Sequence, residues 1–150
     1  MRLYFDAAYV AKCYIAEADS AAVRELARQA ESLHSSAWCV AEMASVVQRC
    51  IREGLLTSAE AVETRRMFRQ NVAEGGWTLV PLNDELLREV DAAFETLPPD
   101  VFLRAGDALH LVSARAAGFS EIWSNDRHLL RAARYFGLKG RSISSPRRAS

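Results

Sequence analysis

Residues 2–16 read Arg2-Leu3-Tyr4-Phe5-Asp6-Ala7-Ala8-Tyr9-Val10-Ala11-Lys12-Cys13-Tyr14-Ile15-Ala16. The apolar run Leu3-Tyr4-Phe5 suits a buried strand, and Asp6 follows it at once. Residues 7–16 then read as a helix with Asp6 at its N-cap, where a carboxylate accepts from backbone N–H groups left free by the first turn. A strand passing directly into a helix sets the pattern for the rest of the chain.

Working outward, a second helix is expected from about Ser20 to Ser32, with Val23, Leu26 and Ala30 on one face, and a brief strand over Leu33-His34-Ser35. Residues 38–53 carry Met43, Val46, Val47, Cys50 and Ile51 at three- and four-residue spacings, and Gly54 stops that helix. Thr57 and Glu60 form a capping box for a helix through about Asn71, broken by Gly75-Gly76. Trp77 to Val80 is a strand ended by Pro81, and a helix from about Asp84 to Phe94 turns Leu86, Leu87, Val90 and Phe94 inward. After Pro98-Pro99 the spacing predicts a helix over Leu103–Ala117, a strand over Glu121–Ser124, a helix over residues 127–136 and a closing strand within 138–143. Short strands alternating with helices indicate an α/β sandwich with a mostly parallel sheet. Residues 1–143 read as a single domain and 144–150 as a polar, basic C-terminal tail.

Composition narrows the function classes. Of 150 residues, half are apolar and a quarter charged, which supports a packed core. Lys plus Arg and Asp plus Glu both number 19, so a uniformly basic nucleic-acid coat is excluded. The balance is uneven along the chain. Residues 1–100 hold 10 basic and 16 acidic side chains, and residues 101–150 hold 9 and 3. The last third is therefore cationic, either as a surface patch or as unevenly spread solvated charge. Cys13, Cys39 and Cys50 form neither a disulfide framework nor a zinc pattern, and no run approaches a membrane span. With no signal-peptide pattern at its start, the chain is expected to be soluble and cytoplasmic.

Four carboxylates stand out by position. Asp6 ends the first strand, Glu42 lies in the first turns of the third helix, Asp107 sits in Arg104-Ala105-Gly106-Asp107-Ala108-Leu109-His110, and Asp126 follows the strand ending at Ser124. In open parallel sheets the carboxyl ends of the strands form the ligand crevice, so Asp6 and Asp126 meet there if their strands lie side by side. Each also has a plain structural reading: Asp6 and Asp126 as N-caps, Glu42 as a partner of the helix dipole, Asp107 as an ion pair with Arg104 or Arg115. Taken together they repel unless a divalent cation neutralises them, and an all-oxygen donor set favours Mg²⁺ or Mn²⁺.

Four ordered segments, LYFDAAYVAKCYI, WCVAEMASVV, RAGDALHLVSARAAG and IWSNDRHLLRAARYFGL, make the chain resemble the PIN domain, and within it the VapC-type ribonuclease toxins of toxin–antitoxin pairs. The resemblance spans roughly residues 2–139. It implies a three-layer α/β/α sandwich and a Mg²⁺- or Mn²⁺-dependent endoribonuclease. Asp6, Glu42, Asp107 and Asp126 match the family's acidic metal-site residues. It further implies an RNA substrate, a cognate antitoxin that blocks the site, and a homodimer. One departure is visible: the family usually carries hydroxyl residues directly after the first aspartate, and here stand Ala7 and Ala8. That departure leaves a second reading, a catalytically weak RNA- or protein-binding module, and predicts that a serine at position 8 would speed cleavage. A receiver domain is disfavoured because Asp6 stands alone at its strand.

His110 follows Asp107 by three residues, which suits a ligand or base and equally suits a core histidine, the reading taken here. His34 and His128 have no partner visible in the sequence, and no Ser/His/Asp or phosphate-loop context is present. Arg127, Arg131 and Arg134 share one side of the last helix, either leading an RNA backbone toward Asp126 or forming a solvated face.

Overall fold

In the computed structural model, which describes residues 1–143, the first strand splits its side chains between two cores. Leu3 and Phe5 point to one face of the sheet and Tyr4 to the other, as the two-residue period of a strand requires. Leu3 and Phe5 pack with Val10, Val23, Val47 and Phe68, whereas Tyr4 packs with Val90, Leu111, Ile122 and Leu129. A helical layer therefore covers each face.

The elements follow as β1 (Arg2–Tyr4), α1 (Ala7–Lys12), α2 (Ser20–Gln29), β2 (Ser32–Ser36), α3 (Cys39–Arg52), α4 (Ser58–Ala73) and β3 (Trp77–Val80). Then come α5 (Asp84–Thr96), α6 (Ala105–Ala116), β4 (Glu121–Trp123), α7 (Arg127–Ala132), a 3-10 turn (Ala133–Phe136) and β5 (Lys139–Arg141). All described strand pairings are parallel: β1 with β2, β2 with β3, and β4 with β5. A parallel bridge between Phe5 and Trp123, with the Asp6 N–H donating to the Trp123 carbonyl at 3.1 Å, joins the two ladders. The sheet order is thus β3-β2-β1-β4-β5. The chain winds outward from β1 on one side, then returns to build on the other, and the crevice at that reversal lies beyond the carboxyl ends of β1 and β4.

The expected α/β sandwich is the architecture found, with several boundaries moved. The first helix stops at Lys12 rather than 16, because the chain must turn there to bury Ile15 and bring the Tyr14 hydroxyl to Trp77 Nε1 (2.7 Å) and Asn71 Nδ2 (2.8 Å). The second ends at Gln29, since Ser32 is already paired with Arg2. The last expected helix tightens into a 3-10 turn at Ala133 and is closed by Gly137 in the left-handed region (φ 71°). The Thr57–Glu60 capping box forms reciprocally, at 3.1 and 3.0 Å. Among the described residues no helix is long and apolar enough to cross a membrane, and all three cysteines are free thiols. The tail read at 144–150 lies outside the described residues.

Candidate active site

Because β1 and β4 are neighbours, the two residues that follow them meet. Asp6 is nearly fully buried, and both its oxygens are engaged. Oδ1 accepts from the Tyr9 N–H at 2.9 Å, the N-cap bond of α1, and Oδ2 accepts from the Ser124 hydroxyl at 2.5 Å. Burial pushes the Asp6 carboxyl up, against the opposing pull of Ser124, His110 and the Tyr9 N–H. Ser124 also accepts from the Asp126 N–H at 2.9 Å, so one hydroxyl fixes the turn leading from β4 into α7.

Asp126 is exposed and caps α7, its Oδ1 accepting from the N–H groups of His128 (2.8 Å) and Leu129 (3.1 Å). The N-cap reading of Asp6 and Asp126 therefore holds, and it coexists with their place at the crevice. Each cap bond fixes an acceptor, not a cation, so the negative charge stays available.

Glu42 stands in the first turn of α3 and meets α6. Its Oε1 lies 2.6 Å from His110 Nε2, and His110 Nδ1 lies 3.0 Å from the Tyr4 hydroxyl. His110 is fully buried, as the core reading expected, yet its ring also anchors a site carboxylate. Gly106, in the first turn of α6, faces the start of α3: a Cβ there would lie 3.3 Å from Trp38 Nε1, a tight contact, and 3.9 Å from Glu42 Oε2.

Asp107, in the first turn of α6, is half-buried. Burial, then the negative charges of Asp126 and Asp6, raise its carboxyl to about 6. Among the described residues neither Arg104 nor Arg115 pairs with it, and no Lys or Arg lies within ion-pair distance of Asp6, Glu42, Asp107 or Asp126. Four carboxylates from four segments thus lie near the carboxyl ends of β1, β2 and β4, close enough that Asp107 feels the other three.

As they lie, no three His, Cys, Asp or Glu side chains among the described residues are close enough to hold an ion together. The donor chemistry nonetheless suits a hard cation, because every candidate ligand is an oxygen and no Lys or Arg among the described residues pairs with the cluster. Mg²⁺ typically keeps several waters and takes only one or two carboxylates directly, so a closed cage is not required.

Sequence reasoning passed over three supporting groups. Ser124 enters the sequence reading as the end of a strand and the start of the Ser-Asn-Asp run, without a role of its own, although its position two residues before Asp126 is that of a hydroxyl able to bond the following turn. Asn125 joins the Tyr9 hydroxyl (2.6 Å), the Ser142 hydroxyl (2.7 Å) and Asp19 (2.6 Å), partners up to 116 positions away that no local spacing reveals. Lys12, with its ammonium 2.7 Å from Glu17 and 2.8 Å from Asp19, holds the other end of that network. Of the three arginines singled out on the last helix, all are exposed. Arg131 and Arg134 line one cavity and Arg127 does not.

A solved structure of FitAB bound to an IR36 DNA fragment shares this fold, with a TM-score of 0.62 at 14% identity over 95% of this chain and 94% of that one. No curated protein matches the sequence. The family model for the PIN domain matches residues 4–135, nearly the full described length. The chain belongs to the PIN domain family.

Proposed function

We propose that this protein is a divalent-metal-dependent endoribonuclease of the VapC type, the toxin of a toxin–antitoxin pair. The observation that carries the reading is the gathering of Asp6, Glu42, Asp107 and Asp126 from four segments with no Lys or Arg among the described residues in ion-pair distance of any of them, so that burial and the other carboxylates hold the Asp107 carboxyl up, at about 6. PIN domains are generally nucleases, and the four positions are those the family resemblance marks as acidic ligands. Asp6, Glu42, Asp107 and Asp126 would hold Mg²⁺ or Mn²⁺. When bound, such a cation supplies charge neutralisation at a phosphodiester and a water of lowered pKa.

The chain's own residues do the positioning. Ser124 and the Tyr9 N–H aim the Asp6 carboxylate, His110 aims Glu42, and the cap bonds of α7 fix Asp126. Arg127, Arg131 and Arg134 would bring an RNA backbone to a crevice that otherwise repels it. FitAB was solved on a DNA fragment, which supports a nucleic-acid-facing assembly for this fold. For this chain the partners proposed are an antitoxin protein that covers the crevice and a second copy of itself.

A second reading, an RNA- or protein-binding module with little activity, draws on Ala7 and Ala8. The Ser124 hydroxyl weakens it, because Asp6 already has a hydroxyl donor. Single-turnover cleavage of a structured RNA separates the two. Cleavage that needs Mn²⁺ or Mg²⁺, stops with EDTA and falls at least a hundredfold in Asp6→Asn or Asp107→Asn is expected. Cleavage that persists in EDTA, or RNA binding with no cleavage under any divalent cation, would remove the nuclease reading.

A further inference from the structure

Beside the carboxylate crevice lies a cavity of about 510 Å³ that the proposed metal site leaves unused. One wall comes from the segment between α5 and α6, where Pro98-Pro99 end the helix and the Val101 N–H closes a turn onto the Pro98 carbonyl at 2.9 Å. That turn presents Asp100 and Phe102. The other wall comes from α7 and the 3-10 turn, which present His128, Arg131, Arg134 and Tyr135. The cavity adjoins the crevice on both sides: His128 is bonded through its N–H to Asp126, and Phe102 lies two residues before the N-cap of the helix that carries Asp107.

Its chemistry is a mixture of aromatic faces and arginines, with Arg134 donating to the Tyr135 hydroxyl at 2.8 Å. Phe102 is 55% exposed and Tyr135 41%. The Phe102 ring lies 4.6 Å from the His128 ring, tilted by 56°, and the Arg134 guanidinium lies 4.8 Å over the Tyr135 ring. Among the described residues neither Arg131 nor Arg134 is paired with a carboxylate. Aromatic faces that stack bases, alternating with arginines that meet phosphates, are what single-stranded nucleic acid requires and what a duplex, with its bases already stacked, does not use. The volume falls in the range of a small-ligand site. Asp100 is an acceptor for the amino edge of a base, not for a phosphate. An RNA strand also needs cations next to four repelling carboxylates, and Arg131 and Arg134 are placed to provide them.

We propose that this cavity is a nucleotide subsite for single-stranded RNA flanking the carboxylate crevice, with a base stacked on Phe102 and its neighbouring phosphates held by Arg131 and Arg134. The proposal rests on reading that crevice as an RNA-cleaving centre, and the test separates the two. The probe is a short fluorescent 2′-O-methyl oligoribonucleotide, bound in EDTA so that no cleavage intervenes, across a salt series. Phe102→Ala should weaken single-strand binding by roughly fivefold to a hundredfold with an unchanged salt slope, and leave duplex binding as it was. Phe102→Leu, which keeps bulk without a stacking face, should behave like Phe102→Ala. Arg131→Ala/Arg134→Ala should flatten the slope of log K against log salt by about 1.4. A charge-matched control outside the cavity, Arg28→Ala/Arg52→Ala, should change the slope far less. All the substituted side chains are exposed, and circular dichroism checks that each variant folds.

Cavity variants that bind the single strand as tightly as the control, with the same slope, overturn the subsite, and so does a loss confined to binding of a protein partner. Wild-type protein that shows these binding dependences yet cuts no RNA with Mn²⁺ keeps the subsite and removes the nuclease reading. Wild-type protein that cuts RNA while the cavity variants bind and cut as it does removes the subsite alone.

Discussion

The Ser124 hydroxyl, at the end of β4, donates to Asp6 Oδ2, at the end of β1, across 2.5 Å. It gives Asp6 a hydroxyl donor that neither Ala7 nor Ala8 can supply, from a residue 118 positions away. With the Tyr9 N–H on Oδ1, the Asp6 carboxylate is oriented without any hydroxyl in α1.

Ser124→Ala should therefore be costly. It strips a donor from a buried carboxylate, worth about 1–3 kcal/mol of stability, and drives the Asp6 carboxyl further up. Ser124→Thr should restore most of both. Ala8 is exposed, so Ala8→Ser is expected to change cleavage by less than about twofold, in place of the acceleration that the sequence alone suggested. Urea unfolding and single-turnover rates for the three variants decide it. A tenfold gain in Ala8→Ser would show that Ser124 does not substitute for the missing hydroxyl.

Asp107 makes stability depend on pH and on metal together. Its ordinary value is 3.8 and its folded value about 6, so between the two the folded protein keeps a proton that the unfolded chain has lost. That contribution is complete below the unfolded value and is lost as pH rises through the folded one. Relative to wild type in EDTA, Asp107→Asn should gain about 1 kcal/mol near neutral pH, after discounting for partial exposure, and that gain should shrink as pH falls below about 6 and vanish below 3.8. Saturating Mg²⁺ or Mn²⁺ should stabilise wild type by about 2.7 kcal/mol at a hundredfold excess over Kd, and the variant far less. Thermal melts over a pH series, with and without metal, measure both effects. Identical metal-induced shifts in the two proteins would take Asp107 out of the site.

The fold was legible because β1 states it twice, in the alternation of Leu3, Tyr4 and Phe5 and in the aspartate that follows. The carboxylates were legible for a related reason, since each stands next to a helix start that local spacing marks. Partners across the sheet were not. His110 and Glu42 are 68 residues apart, and their meeting is a fact of packing with no periodic trace. His110 was legible as a core residue but not as the anchor of Glu42, because one buried imidazole serves both ends. Helix ends drifted where a tertiary demand outweighed propensity, as at Lys12, whose ammonium is committed to Glu17 and Asp19.

That Lys12 cluster bears on the site through Asn125. The Lys12 ammonium holds the Asp19 carboxyl below its usual range, and Asp19 in turn accepts from Asn125 Nδ2 at 2.6 Å, between Ser124 and Asp126. A depressed carboxyl contributes stability above its unfolded value and loses it as pH falls through the folded one, so this cluster weakens in acid while Asp107 gains. Lys12→Met should destabilise by about 3 kcal/mol, because it leaves two carboxylates facing each other without a cation. Asn125→Ala should cost about 1–3 kcal/mol and lower the cleavage rate at saturating RNA more than it weakens RNA binding. Equal wild-type and Asn125→Ala rates at saturating RNA would limit the network to folding.

The last prediction concerns His110, held between the Tyr4 hydroxyl and Glu42. Carboxylates that ligate metals depend on hydrogen-bonded neighbours to hold their orientation, and losing such a neighbour typically costs 10–100-fold in affinity. His110→Leu keeps an apolar side chain in the core but frees Glu42, so Mn²⁺ affinity should fall by about that factor. Tyr4→Phe removes only the hydroxyl on the far side of the ring. It should cost about 1 kcal/mol of stability and, with Nε2 still facing Glu42, change Mn²⁺ affinity by no more than about threefold. Glu42→Gln keeps the shape and loses the charge, and combining it with His110→Leu should add little to either single change, because both act on the same ligand. Calorimetric or electron-spin titration of Mn²⁺ into wild type and the four variants reads this directly. Fully additive losses in the double variant would mean that His110 supports the site by some route other than Glu42, and wild-type affinity in Glu42→Gln would take Glu42 out of the metal site.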